Sequence, residues 1–161
     1  MTESRRSMLT LAILLGLAYA AGAVGSVFTA RSVGTWYQDL AKPSWTPPGW
    51  VFGPVWTLLY TMMGLAAWLV WLRGTSARTA EGPLAAWGVQ LVLNAVWSAL
   101  FFGLRRPDLA LAELAALWCV VLATTVLFWC RSRAAGWLMV PYVLWTTFAG
   151  ALNFAIWRLN A

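Results

Sequence analysis

The sequence predicts an all-α integral membrane protein, a bundle of five transmembrane helices with a long, lid-like loop between the first and the second. Three observations carry that prediction. The chain is 61% hydrophobic and only 10% charged, whereas a soluble domain has about a quarter of its residues charged. Too few polar side chains remain to coat a water-facing surface, so lipid is the solvent for most of it. The charges fall between five long apolar runs, and the first break between runs is rich in proline and tryptophan.

The runs cover residues 8–30, 51–72, 83–104, 108–130 and 134–159, and together they form a single domain over 1–161. Each is long enough to cross about 30 Å of hydrocarbon at about 1.5 Å per residue. Glycine and proline within them argue less against helix in lipid than in water. An odd number of spans puts the two termini on opposite sides. Arg5 and Arg6 before the first run resemble the start of a signal peptide, but the run is longer than a signal core and is read as a retained helix. No soluble domain is expected on either side of the bundle.

The formal charge of +6 does not imply a nucleic-acid partner, because arginines bracket nearly every span as headgroup anchors do. Arg5, Arg6, Arg73, Arg78, Arg131 and Arg133 on one side face Arg31, Lys42, Arg105, Arg106 and Arg158 on the other, so charge does not orient the chain. Cys119 and Cys130 lie in the fourth run, roughly 16 Å apart along a helix, beyond disulfide reach, and read as buried small hydrophobes. There is no histidine. That removes the commonest metal ligand, the usual general base and the usual haem axial ligand together, and no metal site or hydrolytic triad can be assembled.

In the third span, at about 100° per residue, Gln90, Asn94, Trp97 and Ser98 share a face. An amide in hydrocarbon needs a partner, so Gln90 and Asn94 either tie helices together or line a cavity. Ala95, Ala99 and Gly103 form a separate small-residue stripe, a packing seam within the bundle or between two copies. Ala18, Gly22, Ser26 and Ala30 make a similar ladder in the first span. Pro141 interrupts the backbone bonding of the fifth span, with Trp145, Ala149 and Asn153 on its face. Trp56, Tyr60, Met63 and Ala67 share a face of the second. Bulky aromatics beside amides and small residues suit a pocket for a flat, largely apolar molecule.

Of thirteen tryptophans, Trp68, Trp71, Trp87, Trp129, Trp137 and Trp157 sit near span ends, as an interfacial belt would have them. Trp56, Trp97, Trp118 and Trp145 lie deeper, and Trp118 reads as plain core. Asp108 after Pro107 looks like a helix cap. Glu113 is read as reaching the interface or pairing with Arg105 or Arg106.

The first connector runs from Trp36 to Trp50 as WYQDLAKPSWTPPGW. Pro43, Pro47, Pro48 and Gly49 exclude a regular helix over the eight residues from Pro43 to Trp50, while Trp36, Tyr37, Trp45 and Trp50 give the loop apolar surface to bury. A stiff, aromatic loop of this kind is suited to folding over the mouth of the bundle.

The stretch WYQDLAKPSWTPPGWVFGPVWTLLYTMMGLAAWLVW resembles the signature of the tryptophan-rich sensory protein / translocator protein (TspO/MBR) family. The resemblance continues through Gln90, Asn94 and Trp97, through Val140-Pro141-Tyr142-Val143-Leu144-Trp145, and through Leu152-Asn153-Phe154, and so covers essentially the whole chain. It implies a five-helix membrane protein, often a homodimer, with a pocket beneath the first loop that takes porphyrins such as protoporphyrin IX. By motif position that pocket is made by Trp36, Tyr37, Trp45, Trp56, Gln90, Asn94, Pro141, Tyr142 and Trp145, with Trp56 and Trp145 matching the tryptophans tied to porphyrin photochemistry. Tetrapyrrole sensing or regulation is the implied role; light-dependent porphyrin breakdown and carriage of tetrapyrroles or lipids are the alternatives. The cholesterol-recognition pattern of animal members is not carried over, because Phe154 stands where it needs tyrosine. The absence of histidine favours a metal-free porphyrin over haem.

Overall fold

A computed structural model describes residues 3–74 and 77–161. Residues 75 and 76 of the second connector, and the side chain of Arg78, lie outside the described residues. The chain forms α1 (Glu3–Ser32), a single-turn α2 (Trp36–Asp39), α3 (Gly49–Leu72), α4 (Ala77–Ser98), α5 (Pro107–Arg131) and α6 (Arg133–Asn160). All but α2 are long and apolar enough to cross a membrane, and no strand occurs among the described residues. The protein is a multi-pass, all-α membrane bundle. Its outer face is apolar: Leu9, Ile13, Leu17, Leu58, Val92, Val126 and Leu144 are all exposed, which only lipid makes tolerable.

The short connectors force antiparallel neighbours. Only Ser132 separates α5 from α6, and its Oγ accepts from the Ala135 N–H to start α6. Helix α1 packs on α3 and α4, α3 on α6, and α4 on α5. The close approaches are made by glycine: a Cβ on Gly64 would sit 3.1 Å from the Leu15 Cα, and one on Gly136 would meet the Trp129 ring. Met63, Ala66, Ala67 and Val70 of α3 form the middle of the core with Leu117 and Val121 of α5 and Met139 and Tyr142 of α6. Met63 and Ala67 therefore lie in the core rather than in a pocket.

Helix α4 does not continue regularly to residue 104. It loosens into a π-helical turn over Ala99–Gly103, a distortion often found at functional sites. The turn buries Phe101 and directs Phe102 to the first loop, and the Phe102 carbonyl accepts from the Ser32 hydroxyl at 2.7 Å. Gly103, at the end of the expected seam, meets Phe28 of α1, so that end of the stripe packs inside the bundle.

The following turn holds Arg105 at φ 55°, a left-handed conformation that costs an L-residue roughly 1–2 kcal/mol and glycine nothing. Arg105→Gly is expected to raise thermal stability by about 0.5–1 kcal/mol, a few degrees in Tm, measured by thermal unfolding in detergent. A lower Tm would mean that the Arg105 side chain holds the turn by a contact worth more than the strain.

Several sequence expectations are corrected here. Cys119 and Cys130 are exposed on α5, because the buried stripe of that helix runs through Ala110, Leu114, Leu117, Val121, Thr124 and Phe128. Trp87 is core, 3% exposed, rather than interfacial. Trp118 is more than filler, since its indole N–H donates to the Thr147 hydroxyl at 2.7 Å. Asp108 sits within the first turn of α5, with Arg106 as N-cap, and pairs with the Arg106 guanidinium at 2.6 Å. Glu113 pairs with neither Arg105 nor Arg106: its side-chain oxygens are buried without a hydrogen-bond partner among the described residues.

Candidate ligand pocket

The spacing of side chains on α3 sets the back wall of a cavity. Phe52, Trp56 and Tyr60 recur at i+4 and so stack along one helix face. The Trp56 ring stacks on Tyr60 at 5.4 Å and meets Trp145 of α6 edge-on at 6.3 Å. Phe52 meets the same Trp145 at 5.8 Å. On α1 the matching positions are small: Gly22 lies directly under the Tyr60 ring, and Gly25 lies against the Ser98 hydroxyl. Large rings on one helix opposite glycines on the other leave a space of about 730 Å³ between α1, α3, α4 and α6, within the range of small-molecule sites.

Two amides order the polar side of that space. The Tyr60 hydroxyl donates to Asn94 Oδ1 at 2.6 Å, and Asn94 Nδ2 donates to the Tyr142 hydroxyl at 3.1 Å. One α4 side chain thus joins α3 to α6 across the bundle. A turn further on, the Trp97 indole N–H donates to Asn153 Oδ1 at 3.1 Å, and Asn153 Nδ2 donates to the Pro107 carbonyl at 2.8 Å. Asn94 answers both readings of the α4 stripe, because it ties helices together and also borders the cavity. Gln90 does only the first. It is fully buried and its amide reaches Met63 Sδ at 3.5 Å.

The first loop roofs the cavity. Trp36 and Tyr37 on α2 pack edge-on or tilted against Phe101, and Tyr37 also reaches Phe102. Burial in that contact pushes the Tyr37 phenol up from its ordinary pKa. Trp45 rests on Phe148 at 5.8 Å. The far end is clasped by α6, where Asn160 Oδ1 accepts from the Ala41 N–H and Asn160 Nδ2 donates to the Ala41 carbonyl. Lys42 Nζ donates to the carbonyls of Tyr37, Leu40 and Gln38 at 2.6, 2.9 and 3.1 Å, and sits 4.9 Å from the Tyr37 ring centroid.

Of the side chains expected at a binding site, Tyr37, Trp56, Asn94 and Trp145 border the cavity. Tyr142 stands behind it, bound to Asn94. Trp36 and Trp45 hold the roof without bordering the space. Pro141 borders a shallower apolar recess on another side of Trp145. Phe52, Phe101, Phe102 and Lys42 border the cavity and were not anticipated. The signal for two of them was present: Phe52 is four residues before Trp56, and Phe101 four after Trp97. Within the first-span ladder, Ala18 is fully buried while Gly22 and Ser26 border the cavity, so the ladder changes role along its length.

A family model for the TspO/MBR family matches residues 12–158 of the chain. Protein CrtK of Rhodobacter capsulatus is 46% identical over 140 residues, covering 87% of this chain and 86% of its own. Tryptophan-rich protein TspO of Chlorobaculum tepidum is 41% identical over 155 residues, 96% of this chain and 98% of its own. The human translocator protein is 42% identical over 138 residues, 85% and 82% of the two chains.

Proposed function

The chain belongs to the TspO/MBR family, and from that premise we propose that it is a membrane receptor for a porphyrin-type tetrapyrrole, acting in tetrapyrrole sensing or regulation. The observation that supports this most is the ring arrangement around Trp56. Phe52, Trp56, Tyr60 and Trp145 present their faces and edges to one cavity. A flat, conjugated ligand gains offset and edge-on contacts there that a flexible chain does not. Several hydrogen-bonding side chains on the wall, Ser26, Thr46 and Asn94 among them, are already bonded within the protein, as suits a ligand whose body is apolar. With no histidine in the chain, stacking and hydrogen bonding are what these walls offer, and a metal-free macrocycle asks for nothing more.

Titration with protoporphyrin IX in the dark should quench tryptophan fluorescence saturably. Trp56→Phe with Trp145→Phe should weaken affinity about tenfold, since each aromatic pair contributes about 0.5–1.5 kcal/mol beyond area, and should reduce the quenching amplitude. Linear quenching, unchanged in the double variant, would mean partitioning into detergent and would overturn the reading.

A second reading is favoured by the same cluster. Trp56 touches Trp145, Tyr60 and Tyr142, so oxidisable rings adjoin any bound pigment. Light-dependent tetrapyrrole breakdown would then show as faster loss of porphyrin absorbance with protein than in detergent alone, and an equal rate would exclude it.

A further inference from the structure

Among the described residues that border the cavity, Lys42 is the one with a charged side chain, and no aspartate or glutamate is among them. Its three ammonium hydrogens are taken by the carbonyls of Tyr37, Gln38 and Leu40, at the C-terminal end of α2, where a cation is favourable. Those carbonyls supply dipoles, not a counter-charge. Among the described residues no carboxylate lies within ion-pair distance of Lys42; Asp39 in the same loop is exposed. Helix capping alone explains the three bonds. It does not explain why an ammonium left without a counter-ion should form part of the roof of an otherwise apolar space. The exposed charges on this side are mostly positive, Arg31, Arg105 and Arg158 against Asp39, and the Asp108 charge is already answered by Arg106.

We propose that Lys42 makes the pocket selective for an anionic amphiphile, a flat apolar body bearing a carboxylate that comes to lie beneath the first loop against the Lys42 ammonium. The proposal rests on the tetrapyrrole reading and adds to it which end of the ligand faces the roof. The apolar body enters among Phe52, Trp56 and Trp145, and the carboxylate lies toward α2. There it supplies a counter-charge and competes with the Gln38 carbonyl, which accepts the longest of the three bonds, for an ammonium hydrogen. Because Lys42 also pins the loop, ligand charge and loop closure are coupled. A charged partner raises affinity, and an esterified one leaves the ammonium as it is.

The test compares protoporphyrin IX with its dimethyl ester, titrated into the full chain in nanodiscs of zwitterionic lipid. Wild type should prefer the diacid by about tenfold or more, the scale of a hydrogen bond to a charged group. Lys42→Met should abolish that preference, and Lys42→Arg should keep most of it. The ratio separates charge recognition from loop loosening, which would weaken both ligands equally. An unchanged ratio in Lys42→Met overturns the proposal. If wild type binds neither porphyrin saturably, the tetrapyrrole reading fails, and the comparison moves to cis-parinaric acid against its methyl ester. A preference for the acid that Lys42→Met removes would still support the role of Lys42, and no preference would end it.

Discussion

Asn94→Leu is expected to destabilise the protein by roughly 1–3 kcal/mol and to lower ligand affinity with it. The side chain is 2% exposed and serves two phenols at once, accepting from Tyr60 and donating to Tyr142. Leucine fills a similar volume, so packing is not the main loss. The loss is that both hydroxyls lose their partner inside the helix bundle, a cost of about 1–3 kcal/mol for each buried group left unsatisfied. Inter-helix hydrogen bonds in membranes average only about 0.6 kcal/mol, because the unfolded chain in lipid also finds partners, and that holds the total to the lower figure. The affinity loss follows because Tyr60 carries Trp56 in a stack, and a phenol released from Asn94 no longer holds that stack in place. Thermal unfolding in one detergent should show the drop. A cycle with Tyr60→Phe should show strong non-additivity, since both changes remove the same bond. Additive effects would mean that the bond contributes nothing and that Asn94 acts through shape alone.

How much of this was legible in the sequence depends on whether a feature is set by spacing along one helix or by which helix lies opposite. Trp56 and Tyr60, four apart, had to share a face, as did Trp145, Ala149 and Asn153, and all five border the cavity. The proline-rich loop could be read as a roof because its tryptophans needed something to cover. Pairings across helices could not be read. Nothing in the α4 stripe distinguishes Asn94, which faces the cavity, from Gln90, which sits a turn deeper against Met63. Phe101 and Phe102 reach the loop because α4 loosens over Ala99–Gly103, and a regular helix drawn through those residues misplaces both. Lys42 was counted among the interfacial cations, and only the fold of its own loop turns it inward. Trp87 lies near a span end by number but faces α4's buried side, so depth along the helix was the wrong coordinate for it.

Gly64→Ala tests the other half of the design, the approach of α1 to α3 that gives the cavity its wall. A Cβ there would stand 2.7 Å from the Leu15 Cδ2 and 3.1 Å from the Leu15 Cα. A side-chain methyl can turn away, but the Cα belongs to the helix itself, so α1 must shift as a body. Overpacking of this kind costs typically about 1–3 kcal/mol, against a gain of roughly 0.5–1 kcal/mol for removing a helical glycine. The expected balance is a net loss. Gly16→Ala, on the same pair of helices but with nothing within 4 Å of the added carbon, keeps only the gain and should be neutral to stabilising. Comparing their Tm values in the same detergent therefore isolates the contact from the propensity. Gly64→Ala should also weaken pocket binding, because Gly22 and Gly25 lie on the helix that moves, and Tyr60 rests on the first of them. If both variants melt together and bind alike, α1 is free to slide on α3, and the cavity is held by α3, α4 and α6 without it.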